Sequence, residues 1–118
     1  MHHTPSTTLS RRARAWRRLS KYRCDDVIAL VARTKHVSIY DLVGRSRGPT
    51  TSRARQIAMY LCHVILSRSL SEVGTAFGRD RTTVSYACAL IEDLRDDVVF
   101  DRDLCLLEDI LEARLHVA

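Results

Sequence analysis

Two apolar stripes of helical spacing meet at a single glycine. Leu70, Val73 and Phe77 recur at i, i+3 and i+7 before Gly78, and Val84, Ala87, Cys88, Ile91 and Leu94 recur at helical intervals after it. Such spacing places each set on one face of a helix. Two amphipathic helices joined by a short turn bury both stripes only by packing on each other and on a further element. Between the stripes stands Arg79-Asp80-Arg81-Thr82-Thr83. Asp80 occupies an N-cap position and is expected to accept a bond from a backbone N–H two or three residues on. The phase of the second stripe turns Arg81, Thr82, Ser85, Tyr86 and Ala89 away from the core. A helix that opens on exposed hydrogen-bonding side chains after a short turn is how a helix-turn-helix presents a recognition helix to the DNA major groove.

The rest of the chain also reads as helices. Val27, Ile28, Val31 and Ala32 predict one from Asp25 to Arg33. Val37–Gly44 predicts a short one, with Ser38 as N-cap and Gly44 as its end. Residues 45–51 read as a loop. A longer helix is predicted from about Ser52 to Ser67 on the stripe Ile57, Leu61, Val64 and Ile65. Ser69 and Glu72 have capping-box spacing ahead of the Leu70 stripe. A last helix, from about Asp101 to Leu115, is predicted on Leu104, Leu107, Ile110 and Leu111. Only 4 glycines and 2 prolines occur in 118 residues, which favours an all-α bundle over a turn-rich β architecture. We expect one domain over residues 24–118, preceded by an arm over residues 1–23.

Charge divides along the chain. Residues 1–60 hold 13 Lys and Arg against 3 Asp and Glu, whereas residues 61–118 hold 6 against 11. This suggests a basic face for a polyanion and an acidic face kept away from it. Residues 1–10 are polar and expected to be flexible. Residues 10–23 carry seven positive charges and no acid, with Trp16 and Leu19 on one side if the segment is helical. Two readings stand for this arm: a contact to the DNA backbone, or a basic lead-in, solvated or with Trp16 docked on the domain.

Other chemistry is poorly supplied. Cys24, Cys62, Cys88 and Cys105 form no Cys-x-x-Cys pair and read as small buried hydrophobes in a reducing cytosol, not as a disulfide framework or zinc site. His36, His63 and His116 have no nucleophile or carboxylate at a recognisable catalytic spacing, so no enzyme and no cofactor are expected. No apolar run is long enough for a membrane span or a signal-peptide core, and a cytoplasmic, nucleoid-associated location is expected.

The turn and the basic loop are chemically suited to nucleic acid. Arg81 can pair in bidentate fashion with guanine O6 and N7, worth roughly 1–3 kcal/mol of base discrimination. The hydroxyls of Thr82 and Thr83 can bond to bases or phosphates, and their methyl groups can touch a thymine methyl. Arg45-Ser46-Arg47 reads as a finger for the minor groove, where narrow A·T tracts attract arginine. An ordinary helical hairpin with a solvated charged loop is the plain alternative.

Arg55-Gln56-Ile57-Ala58-Met59-Tyr60-Leu61, followed by Ser69 through Val84, resembles the C-terminal DNA-binding domain of the bacterial replication initiator DnaA. The resemblance covers roughly residues 25–112, with its motifs in the family's order and spacing. It implies an all-helical, Trp-repressor-like fold with a basic loop and a helix-turn-helix. It also implies roles by position. Arg47 matches the minor-groove arginine, and Arg55 and Gln56 match backbone-contacting residues. Leu70 and Ser71 match a pair that is usually Leu-Pro. Asp80, Arg81, Thr82 and Thr83 match a base-reading run that is usually Asp-His-Thr-Thr. We therefore expect Arg47, Leu70, Ser71, Asp80, Arg81, Thr82 and Thr83 to read bases. Arg45, Arg53, Arg55, Gln56, His63, Arg79 and Ser85 are expected to hold phosphates.

The chain departs from the family at several positions. Arg81 replaces His, a single Gly78 stands for a double glycine, Ala54 replaces a proline, and His63 stands where some members have lysine. There is no Gly-x-x-x-x-Gly-Lys-Ser/Thr run, so a stand-alone binding domain without the ATPase module is expected. The expected function is sequence-specific double-stranded DNA binding, as a transcriptional regulator or a competitor for initiator sites. The alternative is a protein-interaction module that keeps the fold and engages a protein partner through the nine acids between Glu92 and Glu112.

Overall fold

The computed structural model describes residues 23–117, with side chains described through Arg114. The predicted arm, including Trp16, lies outside the described residues apart from Arg23. The described chain forms six helices and no strand: α1 (Cys24–Lys35), α2 (Ile39–Val43), α3 (Pro49–Val64), α4 (Leu70–Phe77), α5 (Arg81–Leu94) and α6 (Val98–Val117). The all-α expectation holds. No helix among the described residues is long and apolar enough to cross a membrane.

Local sequence explains most boundaries. The Ser38 hydroxyl accepts from the Asp41 N–H at 3.0 Å and opens α2. Ser69 and Glu72 form the full capping box of α4: the Glu72 N–H donates to the Ser69 hydroxyl and the Ser69 N–H to the Glu72 carboxylate. α3 starts about three residues earlier than its apolar stripe predicts. Gly48 is its N-cap and Pro49 its first residue, where a missing N–H costs nothing because that donor has no helical partner. α6 likewise begins early, at Val98, after the Asp97 carboxylate accepts from the N–H groups of Val99 and Phe100.

α3 is the central element, packed on α1, α2, α4 and α5. Ile57, Ala58, Met59, Leu61 and Cys62 are all buried along it. Val27, Val31, Leu42, Val73, Phe77, Val84 and Ile91 close around them. Fully burying a side chain of that size contributes roughly 1.5–3 kcal/mol, so these stripes fix the helix arrangement. On α6, Leu104, Leu107 and Leu111 are buried as predicted, but Ile110 remains 39% exposed. Cys24, Cys62 and Cys88 are buried and Cys105 is half-buried, all as thiols. Burial pushes the Cys88 thiol up to about 11, so it behaves as a small apolar group.

A polar cluster that the periodicity could not reveal fastens α6. Arg95, at the end of α5, pairs with Asp101 and Glu108 and donates to the Tyr60 hydroxyl at 3.1 Å. The Tyr60 hydroxyl in turn donates to Glu92 at 2.9 Å. Its pKa is pushed up to about 12, first by burial. Lys35 at the end of α1 pairs with Asp103.

Candidate nucleic-acid interface

α4 and α5 form the helix-turn-helix. Gly78 ends α4 at φ 64°, in the left-handed region that glycine occupies without steric cost. The Arg79 N–H then donates back to the Gly74 carbonyl at 2.8 Å. A Cβ on Gly74 would lie 2.5 Å from the Arg79 carbonyl oxygen, so the turn closes directly over a bare backbone. Glu72 is held below the usual carboxylate range, first by the Ser69 N–H and then by its hydroxyl.

The start of α5 is open. Arg81, Thr82, Thr83, Ser85, Tyr86 and Ala89 are exposed, whereas Val84, Ala87, Cys88 and Ile91 are buried. The outward set predicted from the stripe is therefore the outward set in the fold. Asp80 differs from expectation. It is the N-cap residue, but its side chain makes no capping hydrogen bond. The first turn instead closes through its backbone, with the Thr83 N–H donating to the Asp80 carbonyl at 3.1 Å. The exposed Asp80 carboxylate thus caps none of the N–H groups at the start of α5.

Two arginines expected at phosphates are turned inward. Arg55 is only 8% exposed, and its guanidinium donates to the carbonyls of Asp41, Leu42 and Ser46. Arg79 is half-buried and donates to the carbonyls of Val43, Gly44 and Phe77. Four of these six bonds, to Asp41, Leu42, Val43 and Gly44, satisfy the carbonyls left over where α2 ends, the need every helix C-terminus has; the other two go to Ser46 in the loop and to Phe77 at the end of α4. Arg55 clamps the basic loop to α2, and Arg79 clamps the turn to the same point. Burial lowers the proton affinity of both, and the like charge of Arg79 beside Arg55, and of Arg45 beside Arg79, adds to it.

The remaining candidates fall into two groups. Arg45, Arg47 and Arg53 are exposed, and Arg47 sits on a loop anchored at Ser46 by Arg55 and at its own carbonyl by the Ser52 hydroxyl. Gln56 is half-buried and accepts from Arg53 Nε at 3.1 Å. Ser71 is exposed on the first turn of α4, while Leu70 is partly buried against the core and acts chiefly in packing. His63 is placed elsewhere. It lies in the last turn of α3, half-buried, and its Nδ1 donates to the Arg68 carbonyl at 2.8 Å, so it braces the α3–α4 connection.

Known proteins share this helix-turn-helix. Residues 24–91 match the family model described as the bacterial DnaA protein helix-turn-helix. The chain belongs to that family. The match runs from the start of α1 to the buried Ile91 of α5. The chromosomal replication initiator protein DnaA of Bartonella quintana is 41% identical over 93 residues, covering 77% of this chain and 19% of that protein. DnaA 2 of Chlamydia trachomatis is 36% identical over 90 residues, covering 75% and 20%. The chain thus spans about a fifth of the length of these DnaA relatives. A crystal structure of a DNA replication initiation factor superposes with a TM-score of 0.70 at 33% identity, over 91% of this chain and 32% of that one. A replication initiator DnaA bound to AMPPCP and single-stranded DNA gives a TM-score of 0.70 at 31% identity. The chain is a DnaA-type helix-turn-helix module, the class of fold that binds DNA.

Proposed function

We propose that the protein binds double-stranded DNA in a sequence-specific manner, as a transcriptional regulator or as a competitor for initiator sites. The observation that carries this reading is the pairing of an open α5 start with an exposed loop arginine, both fastened to the end of α2. Arg81, Thr82 and Thr83 read the major groove, joined by the exposed Asp80 carboxylate as an acceptor for a cytosine amino group. Arg47 enters the adjacent minor groove, where an A·T tract offers the most negative potential. The exposed Ser71 joins them at the bases, and Arg45, Arg53, Gln56 and Ser85 border these contacts and hold the phosphate backbone. Arg55, Arg79 and His63 act from behind, by fixing the loop, the turn and the α3–α4 connection.

The family's usual His is Arg81 here, which favours guanine at the step it faces. Gel-shift titrations of A·T-containing duplexes with and without a neighbouring guanine test the reading. Saturable binding with preference for the guanine-bearing duplex, falling steeply with salt, is the expected result. Equal affinity for every duplex, or no binding at low salt, would remove the reading.

A further inference from the structure

Two of the buried thiols meet. Cys24 is the first residue of α1, and Cys62 stands in the last turn of α3, 38 residues on. Lys35 at the end of α1 lies beside Pro49 and Arg53 at the start of α3, so the two helices run in opposite senses and the opening of α1 faces the end of α3. The Cys62 thiol is 4.0 Å from the Cys24 carbonyl oxygen and is hydrogen-bonded to the Cys24 thiol. Cys62 is fully buried, whereas Cys24 keeps 9% of its surface open. The other two cysteines are placed differently. Cys88 packs in the core, and Cys105 faces Arg95 and Asp101 on α6.

The surroundings of the pair are unequal. Cys24 sits in the first turn of a 12-residue helix, where the free N–H groups and the helix dipole favour a thiolate. The hydrogen bond from Cys62 holds the Cys24 thiol below the usual thiol range and the nearby Arg68 cation adds to this, while burial and the Asp25 and Glu72 carboxylates oppose it. The same hydrogen bond, followed by burial, pushes the Cys62 thiol far up, so Cys62 keeps its proton. One sulfur is therefore a nucleophile at the edge of the core, and the other is a protonated thiol directly behind it. Thiolate character and access decide which cysteine an oxidant reaches first, and an adjacent second thiol decides whether the product closes to a disulfide.

We propose that Cys24 and Cys62 form an oxidation site, closed to a disulfide by hydroperoxides and reopened by thiol reductants. In the first step the Cys24 sulfur attacks one oxygen of hydrogen peroxide and the O–O bond breaks. The departing hydroxide takes the Cys24 proton and leaves as water, and Cys24 becomes a sulfenic acid. In the second step the Cys62 sulfur attacks the Cys24 sulfur and the S–O bond breaks. The departing hydroxide takes the Cys62 proton and leaves as a second water. The two thiols together lose two electrons, which the peroxide gains. The loop closed by this bond contains α2 and the basic loop, and its far end lies just ahead of the α3–α4 connection that His63 and Arg68 brace. Oxidation therefore ties together the elements that carry Arg47 and lead into the helix-turn-helix.

The test treats the full chain with hydrogen peroxide at equimolar dose, without DNA. Thiol titration after denaturation should show half of the four thiols lost, and mass mapping should find the peptides of Cys24 and Cys62 joined. The thermal midpoint should rise by roughly 10 °C, because the bond constrains the unfolded chain, and dithiothreitol should restore both readings. Cys62→Ser should stop the reaction at the Cys24 sulfenic acid, captured by dimedone, whereas Cys24→Ser should form no disulfide at the same dose. Mapping of the unmodified chain decides the matter even if a variant folds poorly. Retention of all four thiols, oxidation of Cys88 or Cys105 ahead of Cys24, a bond between two copies of the chain, or conversion of Cys24 to sulfinic acid without a joined peptide would each overturn the proposal.

Discussion

The Arg79 guanidinium donates to the Gly44 carbonyl oxygen at 2.7 Å, which ties the turn of the helix-turn-helix to the root of the basic loop. Through that bond and the neighbouring one to Val43, the loop that carries Arg47 is held in register with the start of α5. Arg79→Ala removes three bonds from a charged donor and leaves half-buried carbonyls without partners, so a loss of about 2 kcal/mol or more is expected. Thermal denaturation reads the stability. Binding to duplexes altered separately at the loop-facing and α5-facing steps reads the register, and Arg79→Ala should lose discrimination at both. Loss confined to overall affinity would instead mark Arg79 as a phosphate ligand.

Asp80 and Ser69 occupy the same position on consecutive helices but differ in bonding. Ser69 makes a reciprocal capping box, and Asp80 makes no side-chain capping bond. Ser69→Ala should therefore cost about 1 kcal/mol of stability. Asp80→Ala should cost less than about 0.5 kcal/mol, yet change the preferred DNA sequence. Denaturant titration of the two variants separates these outcomes, and equal destabilisation would show that Asp80 caps α5 after all.

The two glycines of the turn are required for different reasons. A methyl group at Gly74 collides with the Arg79 carbonyl oxygen, a backbone atom that cannot move aside cheaply. A methyl group at Gly78 meets nothing, and only its φ of 64° is unfavourable. Gly74→Ala is expected to destabilise by about 1–3 kcal/mol and to misplace Arg79. Gly78→Ala should cost about 1 kcal/mol with DNA binding retained. Circular-dichroism melts and gel shifts on the two variants check the order.

Tyr60 makes stability fall in alkali. Its hydroxyl is raised from 10 in the unfolded chain to about 12 in the fold, chiefly by burial. The folded state therefore holds this proton more tightly. The contribution is fully present below pH 10 and is lost as pH rises from 10 toward 12. Two pKa units correspond to about 2–3 kcal/mol. Tyr60→Phe should flatten that decline while lowering stability at neutral pH, because Glu92 and Arg95 lose a partner. An unchanged alkaline slope in Tyr60→Phe would assign the decline to other groups.

Much of this architecture is legible in the sequence because it is local. The Leu70 and Val84 stripes, the Ser69–Glu72 spacing and the lone Gly78 each act within a few residues, and each appears in the fold where its spacing put it. The start of α3 was hidden because Pro49-Thr50-Thr51 carries no apolar stripe and has loop composition. The roles of Arg55 and Arg79 were hidden for a different reason. An arginine that satisfies backbone carbonyls 9 to 36 residues away has the same local context as one that meets a phosphate. The Arg95 cluster was equally invisible, since it gathers Tyr60, Glu92, Asp101 and Glu108 from three helices.

Base reading by the start of α5 is tested most directly by selection from random duplexes, carried out in parallel with the unmodified chain, Arg81→His and Arg53→Ala. The unmodified chain should enrich one A·T-containing site with a fixed guanine. Arg81→His should release that guanine and leave the A·T portion in place, because Arg47 is untouched. Arg53→Ala should enrich the same site at lower affinity. Recovery of unselected sequence by the unmodified chain, or an identical site from Arg81→His, would contradict base reading through Arg81.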